Sequence, residues 1–195
     1  MANLITLDEY KEAEGISNPK EDLKLNALIP SVSQLVKTYC NSSFVDYYST
    51  NKVETISLNY NTDVIQLAES PVTTVVSVTE RTSYGAAYAT LTTSAYQYFL
   101  DTDTDSLFRT TSAGRKNWAK GPGSIIVTYK AGYATVPADL KLAVFDLVRY
   151  YQKDEYKERK VMAGASIQNA GSSSQANNVA FPDHIKRVLD LYKNF

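Results

Sequence analysis

Residues 129–159 read YKAGYATVPADLKLAVFDLVRYYQKDEYKER, and this stretch decides the fold. Upstream, Ile125, Ile126, Val127 and Tyr129 form a β-branched and aromatic run that predicts a packed strand. Gly132 breaks that run, where the backbone needs a conformation that side chains resist. Pro137 stands where a helix would have its first residue, a place where its missing N–H costs nothing. Leu140, Ala143, Val144, Leu147, Val148 and Tyr151 then recur at three- and four-residue steps, which predicts an amphipathic helix with a core side. Leu142 and Phe145 point almost opposite to that stripe. Two readings follow: a helix buried on two sides within its own chain, or a contact with another subunit, to which Arg149 would also belong.

The grouping of AGY, VP and the D-L-K-x-A-V-x-x-L-V-x-Y-Y run, ending in a charged tail, resembles the head–tail connector (adaptor) proteins of tailed bacteriophages. So does an N-terminal region of two helices. The resemblance is carried by the helical parts and leaves the middle of the chain without a motif. It implies a self-assembled ring, a dodecamer, between the portal protein and the tail or head-completion proteins. DNA would pass through the lumen without sequence-specific binding. It also implies that the C-terminal end reaches the portal, which maps here onto Val188, Leu191, Tyr192 and Phe195.

The chain has 195 residues and a formal net charge of −1, without a basic cluster. That argues against a protein that holds nucleic acid by its phosphates. The single cysteine, Cys40, has no internal disulfide partner and is expected to be a small packed helix residue in a reduced compartment. No signal peptide and no membrane span are expected, since neither an apolar leader nor a long apolar run is present.

Taken in order, Thr6-Leu7-Asp8-Glu9 is a capping-box pattern for a short helix ending at Gly15. Asn18-Pro19 predicts a second helix start, with Glu21 and Asp22 in its first turn. Leu25, Leu28, Ile29, Val32, Leu35, Val36 and Tyr39 give its core stripe, and Pro30 is expected to kink it. From Lys52 the period changes to two. Short strands are expected at 53–58, 65–67, 72–78, 96–100, 107–109 and 125–129, with turns at 61–63, 70–71, 84–85, 101–106 and at Gly121-Pro122-Gly123. The expected fold is therefore α+β, a helical bundle formed by the N- and C-terminal segments with an inserted antiparallel β-rich domain. The parts are helical residues 1–50, a β-rich insert at 51–131, and helical residues 132–195 packing on the first part.

Residues 161–181 lack charge and periodicity, which fits either a linker or a loop that orders on contact with a neighbouring ring. Pro182 opens a last helix whose apolar face is Ile185, Val188, Leu189 and Tyr192. Asp154 with Lys157, and Glu155 with Arg159, read as pairs on a solvated helix face.

Chemical motifs are scarce. Asp101, Asp103 and Asp105 have the spacing of a calcium loop, but Ser106 replaces the needed glycine and Ser112 the bidentate acid; an acidic hairpin turn is the plainer reading. His184 is the sole histidine, so a zinc site is not expected. Asp139 and Asp183 follow helix-opening prolines and read as partners of the helix dipole. No catalytic residues, metal or cofactor are expected. An alternative function is a carbohydrate- or cell-surface-binding module in the β insert, with Tyr84, Tyr88 and Tyr96 stacking on sugars.

Overall fold

The computed structural model describes residues 2–153 and 181–194. Among the described residues, four helices and eight strands make an α+β protein of two compact units. One unit comprises residues 1–41 and 136–193, the other residues 42–135.

The helical unit holds α1 (Leu7–Glu14), α2 (Asp22–Cys40), α3 (Ala138–Gln152) and α4 (Asp183–Asp190). The capping box of α1 is formed: Thr6 Oγ1 accepts from the Glu9 N–H at 3.2 Å, and Glu9 Oε2 accepts from the Thr6 N–H at 2.8 Å. Gly15 closes the helix in the left-handed region, φ 66°. The second helix starts later than Asn18-Pro19. Asn18 Oδ1 accepts from the Lys20 N–H instead, and the Pro19 carbonyl takes the Asp22 N–H. Those two residues therefore build a turn ahead of α2 rather than its cap. The helix runs on through Pro30 to Asn41. Pro137 and Pro182 sit at the N-caps of α3 and α4, one position earlier than the first helical residue, and their carbonyls take the N–H groups of Lys141 and Lys186.

Leu25, Ile29, Val32 and Val36 of α2 are buried, as are Leu140, Val144, Leu147 and Val148 of α3 and Ile185 and Leu189 of α4. Burying a side chain of this size contributes roughly 1.5–3 kcal/mol. Val32 and Val144 thus belong to one helical unit. Leu4, Ile5 and Tyr10 are buried too, so the first residues are part of its core. Leu4 N–H donates to Ser33 Oγ and Lys37 Nζ to the Ala2 carbonyl. Phe181 is buried, with its ring 4.8 Å from that of Tyr39. The rest of the 161–181 segment, Phe195, and the pairs Asp154–Lys157 and Glu155–Arg159 lie outside the described residues.

The β-rich unit holds β1 (Lys52–Leu58), β2 (Val64–Gln66), β3 (Val72–Glu80), β4 (Ala89–Leu91), β5 (Tyr98–Asp101), β6 (Ser106–Thr111), β7 (Gly114–Arg115) and β8 (Gly121–Ala131). They form two antiparallel sheets, ordered β1-β8-β3-β4 and β2-β6-β5, with β7 paired to β6. The sheets share one core, in which Ile65 and Leu107 meet Val78, Ile125, Val127, Tyr129 and Trp118. Gly121-Pro122-Gly123 is the first part of β8, not a turn. Its two glycines at φ 137° and 54° let the strand bulge where Ile56 pairs with Ile125 but Leu58 with Gly121. Tyr96, expected in a strand, lies in a turn at φ 53°, with its N–H on the Thr93 carbonyl.

The two ends of this unit are joined. Tyr133 N–H donates to the Phe44 carbonyl at 2.8 Å. Gly132 stands at φ +97°, and a Cβ there would lie 1.8 Å from Phe44 O. Only glycine allows this approach. Residues 42–50 accordingly go with the sheets: Ser43 donates to Glu69 through both N–H and Oγ.

Candidate functional site

Among the described residues no three His, Cys, Asp or Glu side chains are placed to share a metal ion. The DTDTDS carboxylates diverge. Asp101 caps its own turn, accepting from the Asp103 N–H and the Thr104 hydroxyl. Asp105 is buried and holds the Ser70 hydroxyl and the Val72 N–H, both at 2.6 Å. Cys40 is buried against the Leu189 carbonyl, and burial pushes its thiol up to about 12. His184 is exposed on α4.

The helical positions singled out from the sequence fall into two groups. Leu142 on α3 is 61% exposed, and Leu191, the residue that ends α4, is 79% exposed. Val188 and Tyr192 are half-buried, and the Tyr192 hydroxyl donates to Asp139 Oδ1 at 2.6 Å. That bond is the leading cause that holds the Asp139 carboxyl below the usual range. It also ties the end of α4 to the first turn of α3, one turn along the same face from Leu142.

Phe145 and Arg149 are engaged within their own chain. The Phe145 ring is 6.2 Å from Tyr10 of α1. Arg149 Nε donates to Glu14 at 2.9 Å, with Asp146 3.7 Å away, and the Glu14 carboxylate raises the guanidinium pKa. Lys141 pairs with Glu9 at 2.8 Å, so α1 and α3 carry two parallel ion pairs. Leu23 on α2, 87% exposed, is a further apolar point that the core stripe of that helix did not mark.

In the β-rich unit, Tyr84 and Tyr96 are well exposed. The Arg81 guanidinium lies 4.8 Å from the Tyr84 ring and 5.0 Å from Tyr88, and Tyr88 donates its hydroxyl to the Gly123 carbonyl. Two of the three tyrosines that could stack on a sugar thus already bear a cation. A buried cross-sheet pair, unmarked by any motif, is also present: Arg109 on β6 reaches Glu80 on β3 through Nε at 3.1 Å and a terminal nitrogen at 3.0 Å. Glu80 also takes the Ala119 N–H at 2.6 Å.

Together, these features make an α+β fold with exposed apolar points on its helical unit and no convergent catalytic set among the described residues. The head completion protein family model matches residues 3–195, and the chain belongs to that family. The match includes the β-rich residues, which the connector resemblance had left unassigned. A head completion protein of Escherichia phage T5 is 27% identical over 64 residues, 33% of this chain and 35% of that protein, so the match spans about a third of the relative's length. Among solved structures, the neck of an empty GTA particle computed with C6 symmetry superposes with a TM-score of 0.61 at 14% identity, covering 98% of this chain and 90% of that one. The neck of a native GTA particle computed with C12 symmetry gives 0.57 at 15% identity, covering 100% and 96%. These likenesses establish the fold.

Proposed function

We propose that this protein is a structural subunit of an adaptor ring in the neck of a tailed phage. The ring joins the capsid portal to the tail and lines the DNA passage. The observation that carries this reading is the family match over 3–195, supported by a fold shared along almost the whole chain with neck components of a gene transfer agent. In this reading the protein works in the virion, is assembled in the host cytoplasm, needs no cofactor and is not an enzyme. Copies assemble into a dodecamer through the helical bundle, and the tail or head-completion proteins lie on its far side. A near-neutral chain suits a passage that DNA must slide through, since a strongly basic wall would retain it.

The portal contact is assigned to the end of α4, through Val188, Leu191, Tyr192 and Phe195. Support comes from Leu191, an aliphatic side chain held in solvent by a helix whose Ile185 and Leu189 are fully buried. Such a preset apolar anchor suits a pocket on a partner. Leu191→Asp tests this, because an exposed position tolerates charge without unfolding. Portal co-purification is expected to be lost while the melting curve stays unchanged; a variant that still co-purifies removes the anchor from α4.

A further inference from the structure

We infer that the outer faces of the two sheets form a seam between the β-rich units of neighbouring copies, each copy giving one face to each neighbour. This rests on the ring reading above and adds the surfaces that close it.

The outer face of the second sheet carries an apolar row. Val64 pairs with Phe108, and Phe108 with Phe99, so the three side chains line up across β2, β6 and β5. They lie opposite in sense to the buried row of Ile65, Leu107 and Leu100 one residue along. Phe99 is 60% exposed. The Arg115 guanidinium, itself paired with Asp63, lies 5.0 Å from the Phe108 ring. A contiguous apolar row with a polar rim marks a protein contact.

The outer face of the first sheet is of a different kind. Val53 pairs with Thr128, and Thr128 with Ser77; Thr55 pairs with Ile126, and Ile126 with Thr79. Neither of these two rows has an ionisable group. Val53 is 63% exposed. Bringing this face onto the phenylalanine row desolvates no charge within those rows, which is the usual obstacle to burying a surface.

A cyclic ring uses two different patches on opposite sides of each subunit, and the two outer faces stand back to back across one core. The rims also match. Beyond the phenylalanine row, Asp101 ends the Gln66–Ser106–Asp101 row. On the other face, outward Lys130 lies at the same end of the unit, next to Ala131, which pairs with Val72, whose N–H donates to Asp105. Copies stacked side by side therefore set Asp101 of one toward Lys130 of the next.

Phe99→Asp and Val53→Asp test the seam, with native mass spectrometry of the full chain across a concentration series and on the portal ring. Both positions are exposed, so circular dichroism melts are expected to match wild type. Each variant alone is expected to need at least tenfold more protein to assemble. An equimolar mixture is expected to yield one-to-one dimers, because each variant retains the face the other has lost. Rings formed by both variants at the wild-type concentration would overturn the seam while leaving the ring reading standing. Wild-type protein that stays monomeric at every concentration and on the portal would end the ring reading itself, and the seam with it.

Discussion

At the scale of the residue, two positions carry more than their size. Gly132 is required twice over, by a positive φ and by the Phe44 carbonyl that fills the space of a Cβ. Gly132→Ala is expected to cost about 3 kcal/mol or more, adding backbone strain to overpacking, and a urea titration would show it as a lower midpoint. The glycine was legible as a strand breaker; the carbonyl against it was not, because Phe44 is remote in sequence. Arg109 is the second case. It is 4% exposed, bonded to Glu80 and to the Gln97 and Thr110 carbonyls. Arg109→Met leaves Glu80 buried without its cation, at an expected cost of about 3–5 kcal/mol, measured by thermal or urea unfolding. Its strand reads only as the short run Leu107-Phe108-Arg109, and nothing local tells that the inward polar residue has a partner on another sheet.

Among the elements, α1 and α3 show what local signals can and cannot give. Capping box, left-handed Gly15 and apolar stripe were readable because each depends on neighbours within a turn or two. The ion pairs Glu9–Lys141 and Glu14–Arg149 join distant stretches and were not. Lys141 is the first cause that lowers the Glu9 carboxyl, followed by the Thr6 N–H. A depressed carboxylate contributes stability that is present above its unfolded value and is lost as the pH falls through the folded one. Glu9→Gln is therefore expected to flatten the fall in melting temperature between about pH 5 and pH 3, followed by calorimetry. The strands β4 and β7, of three and two residues, are too short for the sequence to mark them by alternation. The start of β8 reads as a turn because glycine and proline stand there; a bulge admits both.

Across the whole molecule, the alternation of helical and β periods made the α+β class legible, and the Y-x-x-V-P to Y-Y stretch made the connector family legible. Which of the two off-stripe residues belongs to the chain's own packing was not, since Leu142 and Phe145 share a sequence signature but Phe145 lies beside Tyr10 while Leu142 is exposed. Leu142→Asp is accordingly expected to impair ring assembly with no change in monomer stability, read by light scattering and a melting curve. Phe145→Asp is expected to lower monomer stability by about 1–3 kcal/mol, because a charge would face the Tyr10 ring. The hydrogen bond from Tyr133 to Phe44 has a consequence for descent as well as for folding. A gene segment cut at codons 42 and 135 encodes a cassette whose entry and exit are already fastened to each other. Recombination can swap such a cassette without redesigning a linker.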